Sequence, residues 1–231
     1  MLSEEDARQR MIWARKYQYF TYLQWRRVRW SDECSIELGK GQKPSYVFSS
    51  AGKERLRPEL VQEKPCGKQT CQMFWAAFGY GIRTPLVPME GDSDSRRGGV
   101  TAKVYKDILD EYLPPILGIG AIFMQDNAPI HTARIIRDWL IENGVKVMVW
   151  PKRSPDLNPI ENLWALLKAQ IYKTYPELLK LRNTEATLRQ LIRCAIATWE
   201  DFGEQIMARL IDTMVNRVKA VILADGWYTT Y

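Results

Sequence analysis

A chain of 231 residues that is 46% apolar and 26% charged has the composition of a folded domain with a real core, which excludes a disordered tail, a collagen and a coiled-coil rod. Basic residues outnumber acidic ones by 33 to 27, a formal charge of +6, which mildly favours a polyanionic partner. No apolar run approaches the roughly 18 residues of a membrane span, the opening MLSEEDARQR carries no secretory pattern, and four cysteines are too sparse for a disulfide scaffold. No membrane and a reducing compartment are therefore expected.

In chain order, Ser3 and Asp6 have capping-box spacing and precede Trp13, Tyr17 and Phe20 at helical intervals, so a first helix is expected to about Gln24. Residues 7–30 hold Arg8, Arg10, Arg15, Lys16, Arg26, Arg27 and Arg29 without an acid, which reads equally as a solvated face or as a phosphate-contacting one. The segment R-R-V-R-W-S-D alternates, with Val28 and Trp30 on one side, and predicts a half-buried strand running into Asp32. Ser35 to Leu38 and Tyr46 to Ser49 are expected to pair across G-K-G-Q-K-P. Residues 50–70 read as a loop and Cys71 to Tyr80 as an apolar, aromatic strand.

Residues 83–99 are polar and Gly-rich and read as a loop, followed by a helix from about Val100 to Leu117. Ala121 to Met124 has the continuous apolar run of a strand buried on both faces, delivering Gln125 and Asp126. Thr132 to Asn143 predicts a helix with Ile135, Ile136, Trp139 and Leu140 inward and Gly144 at C′. Lys146 to Trp150 reads as another buried strand. After W-P-K-R-S-P-D-L-N-P, Asn158-Pro159 starts a helix to about Tyr175, and two further helices are expected at roughly 184–200 and 204–223. The order predicts a mixed α/β protein, antiparallel at one edge of its sheet and parallel in the middle.

Three acids stand where chemistry gathers. Asp32 is expected to end the first strand, Asp126 to end the central strand and Glu161 to sit in the first turn of a helix; ligands in open α/β sheets collect outside the carboxyl ends of strands. Carboxylates brought together repel unless a cation neutralises them, and oxygen ligands without Cys or His select Mg²⁺ or Mn²⁺. A two-ion site of that kind supports in-line phosphoryl transfer. Each acid also has an ordinary structural reading: Asp32 as a turn residue, Asp126 in D-N-A-P as an Asx-turn residue, and Glu161 as the capping-box partner of Asn158.

Q-D-N-A-P-I-H-T-A at 125–133 and W-P-K-R-S-P-D-L-N-P-I-E-N-L-W at 150–164 closely resemble the catalytic core of mariner-superfamily DDE transposases. R-V-R-W-S-D-E at 27–33 resembles that family's first-aspartate motif, and the 34 residues between Asp126 and Glu161 match the branch whose third acid is glutamate. The resemblance runs from the W-x-R-K helix near Trp13 to the helices after Glu161. It implies a ribonuclease H-like mixed sheet flanked by helices, with a linker helix at 1–25, the catalytic core at 26–176 and extra C-terminal helices at 177–231. It further implies Asp32, Asp126 and Glu161 as metal ligands for two Mg²⁺ or Mn²⁺ ions. The implied activity is excision of a DNA element by hydrolysis at its ends, then attack of the freed 3′-hydroxyl on target DNA at a TA step. A homodimer pairing the ends is implied too, and the DNA substrate implies the nucleus. A non-catalytic DNA-binding remnant of a transposase and a ribonuclease H-like nuclease without strand transfer are the alternatives.

Two departures accompany the resemblance. The 31 residues before Asp32 read as one helix and a strand, so the family's helix-turn-helix end-recognition domain is expected to be absent. The glycine-rich stretch before the central strands is reduced to P-C-G-K-Q around Gly67. Among other residues, His131 reads as a phosphate contact or as a backbone-satisfied helix-start residue. Lys152 and Arg153 are expected to meet the DNA backbone, and Asn127 and Asn162 to support the acids or to cap. Asp156 is expected to hold its turn, Asp92 and Asp94 to be solvated, and Trp139, Trp164 and Trp199 to be core. Zinc at Cys66 and Cys71 is not expected, and Trp227 and Tyr228 read as a docking tail or a disordered end.

Overall fold

The computed structural model describes residues 2–38, 71–96 and 98–231. The expected strand at Tyr46–Ser49, the loop at 50–70, Cys66 and the stretch around Gly67 lie outside the described residues.

The capping box forms, with Ser3 Oγ accepting from the Asp6 N–H and Asp6 accepting from the Ser3 N–H. It opens helix α1 (Glu4–Tyr17), which stops short of Gln24. Thr21 competes for the chain: its own capping box with Gln24 starts the single-turn helix α2 (Tyr22–Trp25). Strand β1 (Val28–Glu37) runs five residues beyond Asp32, so this acid sits mid-strand rather than at its end. The cause is the long antiparallel ladder with β2 (Cys71–Gly79), from Trp30↔Phe78 to Glu37↔Cys71, which gives the backbone groups facing β2 their partners.

Part of the expected 83–99 loop is sheet. Strands β3 (Ile82–Arg83) and β4 (Val87–Met89) both pair with β2, and Pro85 and Pro88 hid them because proline is read as a strand breaker. Strand β5 (Ile122–Met124) lies parallel to β1, giving the order β3-β2-β1-β5 with β4 beside β2. Lys146–Trp150 adds only one parallel bridge, Phe123↔Val147, with Val149 exposed; it is an edge, not a buried strand.

The period-two alternation of the strands divides the core. Trp75, Ala77 and Phe123 face α3 (Ala102–Tyr112) and α4 (Arg134–Glu142). Trp30, Phe74, Phe78 and Met124 face the other side, covered by α1, α2, α5 (Pro159–Thr174), α6 (Glu185–Glu200), α7 (Glu204–Asp212) and α8 (Met214–Leu223). Helix α1 thus fills the same core as the C-terminal helices. Trp139, Trp164 and Trp199 are buried as expected, whereas Ile135 is exposed. Helix α3 ends before Pro114-Pro115, which turn into a 3₁₀ segment. The expected helix at 204–223 breaks at Thr213, whose hydroxyl donates to the Leu210 carbonyl (2.6 Å) and accepts from Arg217 Nε (2.8 Å). Gly144 closes α4 at φ 63°, the left-handed position that C′ requires.

Candidate active site

Strands β1 and β5 are parallel and in register at Trp30↔Met124. Two residues beyond this pair stand Asp32, still within β1, and Asp126, in the loop that leaves β5, so both are carried to the same end of the parallel pair. Opposite Asp32 on β2 is the small Ala76, which leaves its face open. Pro159 begins α5, so Glu161 falls in the first turn. One turn later Trp164 donates its indole N–H to Asp32 Oδ2 at 3.3 Å, which turns this helix face onto the strand. Asp32, Asp126 and Glu161 line one cleft of about 250 Å³, with Asn127, Lys152 and Arg153 around it.

Burial, followed by the negative charges of Glu161, Glu33 and Asp126, pushes the Asp32 carboxyl up to about 8. Burial also raises Glu161, with Lys168, two turns along α5, pulling the other way. Asp126 moves oppositely: the hydrogen bond from His131 holds it below the ordinary range despite burial. The three carboxylates are therefore driven to unlike protonation.

His131 supplies the difference. It is 3% exposed, with Nδ1 2.7 Å from Asp126 Oδ1 and Nε2 3.2 Å from Glu33 Oε1. Burial alone would lower the imidazole, but Asp126 and Glu33 outweigh it and bring it to about 9, so at neutral pH both ring nitrogens donate. Tyr105 packs against the ring at 4.4 Å between centroids, and its hydroxyl donates to Gln125, whose amide bonds the His131 carbonyl. The expected DNA contact by His131 is thus corrected: the side chain is sealed behind Asp126 and orients it. Asp126 Oδ1 also accepts the Ala128 N–H at 2.8 Å, so the Asx turn forms as well, while the side chain stays 53% exposed toward the cleft.

Asn127 lines the cleft, and its amide N–H bonds the Trp150 carbonyl at 2.9 Å, tying the Asp126 loop to the 150–158 loop. Asn162 turns away from the cleft that the acids line. One residue past Glu161 it lies about 100° around the helix and accepts from Arg217. The capping box at Asn158 does not form, since its side chain makes no cap hydrogen bond. Lys152 and Arg153 are exposed beside the cleft, Arg153 at φ 53° and held by Asp6 at 2.8 Å. Asp156 holds its turn as expected, through a bidentate pair with Arg10. Asp92 is not merely solvated: it accepts the Thr101 hydroxyl at 2.8 Å and fixes the start of α3.

Sequence reasoning missed Glu33, Trp164 as a donor and Lys168. Their signals were adjacency to Asp32 and the spacings of three and seven residues after Glu161 on a helix.

The donor set fits a hard divalent cation. It is all carboxylate oxygen, His131 has both nitrogens engaged, and burial pushes the Cys34 thiol up to about 11, so it stays protonated. Among the described residues the three acids share a cleft without closing into a compact ligand cluster.

Residues 27–182 match the family described as DDE superfamily endonuclease, a span holding all three acids. The whole chain is 28% identical over 234 residues to the Tc1 transposase of Caenorhabditis elegans, covering 80% of that protein. It is 31% identical over 205 residues to the Tc3 transposase of Caenorhabditis elegans, covering 87% of this chain and 57% of that one. Among solved structures, the Mos1 transposase paired-end complex with left transposon end matches at a TM-score of 0.68 and 20% identity, over 99% of this chain and 64% of that one. The Mos1 catalytic domain with raltegravir and Mn matches at a TM-score of 0.64 and 19% identity, over 99% and 98%. The shared fold, a mixed sheet flanked by helices, is ribonuclease H-like. The matched family span carries all three acids placed by β1, the β5 loop and α5, and the chain belongs to the DDE superfamily of endonucleases.

Proposed function

We propose that this chain cuts DNA at the ends of an element and transfers the freed 3′-hydroxyl to target DNA, using Asp32, Asp126 and Glu161 to hold divalent metal. The observation that carries the reading is the meeting of three carboxylates, from segments far apart in sequence, in one cleft beside exposed basic residues. Asp32, Asp126 and Glu161 would hold Mg²⁺ or Mn²⁺, two ions in this reading, which would supply positive charge for the attacking and leaving oxygens.

The chain's own residues do the rest. His131 and the Ala128 N–H fix Asp126 Oδ1, and Trp164 fixes Asp32 Oδ2. Asp32 holds a proton at neutral pH and gives it up on cation binding, so binding releases a proton. Lys152, charged and exposed beside the cleft, holds the phosphodiester backbone. The relatives described as paired-end complexes with transposon ends support DNA ends as substrate; a homodimer on two ends, a TA target and a nuclear location belong to the same proposal.

Two substrates test it with Mn²⁺ present: supercoiled plasmid, and a duplex ending in a free 3′-hydroxyl mixed with plasmid. Nicking together with covalently joined product is expected, and both should vanish in Asp32→Asn, Asp126→Asn and Glu161→Gln. Nicks without joining would select the nuclease reading. Plasmid bound but never cut would select the non-catalytic one.

A further inference from the structure

Arg10 lies in the middle of α1 with no accessible surface, a costly place for a charge unless every donor is met. Its Nε donates to the Gly226 carbonyl (2.7 Å), and its Nη1 and Nη2 to Asp156 Oδ1 and Oδ2 (2.8 and 2.6 Å). Nη2 also reaches the Trp227 carbonyl at 3.2 Å. Thr229 adds its N–H and hydroxyl to Asp156 Oδ2 at 3.1 and 3.0 Å. From the other side the largely buried Arg217 donates to the Asp156 backbone carbonyl (2.6 Å) and to Asn162 Oδ1.

The same face of α1 grips the loop elsewhere. Asp6, one turn earlier, holds Arg153, and Trp13, almost a turn later, donates to the Val149 carbonyl at 2.9 Å. The 149–156 segment is thus pinned at three points by one helix, while Arg217 spans the junction from Asp156 to Asn162, the residue after Glu161. The opposite side of this loop forms the cleft wall. Bidentate, charge-assisted bonds in a dry interior are strong enough to fix the pose of this junction.

We infer that Arg10 and Arg217 are positioning residues: through Asp156 and Asn162 they set the pose of the loop–helix junction that carries Glu161, and residues 226–229 complete the clamp. The inference rests on the reading of the cleft as a metal site.

The test is the Mn²⁺ midpoint of the thermal shift, measured with the metal-free melting temperature, on the whole chain. Arg217→Met is expected to raise the midpoint about tenfold or more, the size found when groups supporting metal ligands are removed, with Arg217→Lys restoring part of it. Thr229→Val, which removes one hydroxyl and keeps the volume, should move the midpoint in the same direction and serves where Arg217→Met does not fold. Leu191→Ala, in the α6 core, should lower the melting temperature and leave the midpoint unmoved. Clamp variants that melt lower with the parent's midpoint would overturn the inference and leave the network as scaffold. A parent with no Mn²⁺ response would overturn the metal-site reading, and the inference with it, in a recognisably different way.

Discussion

At Asp32, burial and three nearby carboxylates act in one direction, whereas at Asp126 the His131 imidazolium outweighs burial. Pattern alone treats the acids as equivalent; the difference depends on His131 reaching across to Glu33, a pairing of residues 98 apart that no local motif encodes. Asp32→Asn is therefore expected to raise the metal-free melting temperature at neutral pH by a few degrees, on the order of 1 kcal/mol. Asp126→Asn should lower it by stranding the His131 charge. Differential scanning calorimetry in chelator separates the two signs. Asp156 offers a pH signature away from the metal ligands. Burial works to raise its carboxyl, but Arg10 and Thr229 overcome this and hold it below the ordinary range. A depressed folded-state value contributes stability above the unfolded value of about 3.8, lost as pH falls through the folded one. Asp156→Asn should accordingly cost about 3–5 kcal/mol at pH 7, and urea melts should show the gap to the parent closing below about pH 4.

Elements with explicit punctuation were legible. Ser3 and Asp6 announced α1, Pro159 announced α5 and Gly144 ended α4, because each is a local choice that the chain makes alone. Elements decided by partners were not. Strand β1 passes Asp32 only because β2 lies alongside it, β3 and β4 exist as partners of β2, and the helix break at Thr213 is completed by Arg217 from the following turn. The close approach of α1 and the end of α8 belongs to this second kind. Gly226 has φ 85°, and a Cβ there would lie 2.0 Å from the Ala7 carbonyl oxygen. Gly226→Ala is expected to lose at least about 2 kcal/mol, since the left-handed conformation alone costs roughly 1–2 kcal/mol; a parallel chemical denaturation of both proteins measures it.

Over the whole molecule, the acid-free run at 7–30 turns out not to be one charged face. Arg10 is consumed by Asp156, Arg26 by Asp212 and Arg29 by the Ile116 carbonyl. Their positions were plain in the sequence; their partners, 87 to 186 residues away, were not. DNA contact should then fall more to Lys152, exposed beside the cleft, than to this run. Lys152→Ala is expected to weaken DNA binding whatever the sequence and to reduce the salt slope by about one unit, read by fluorescence anisotropy across a salt series; an unchanged slope would place the backbone elsewhere.

The claim that three carboxylates make a metal site is tested most directly by thermal unfolding with and without Mn²⁺, on the parent and on Glu161→Gln. With a dissociation constant of about 1 mM, roughly 10 mM metal adds about 1.4 kcal/mol, which for a domain of this size is a rise of about 3–6 °C. The parent should show that rise and Glu161→Gln should lose most of it. Equal responses from the two proteins, flat or rising, would contradict a site built on these acids.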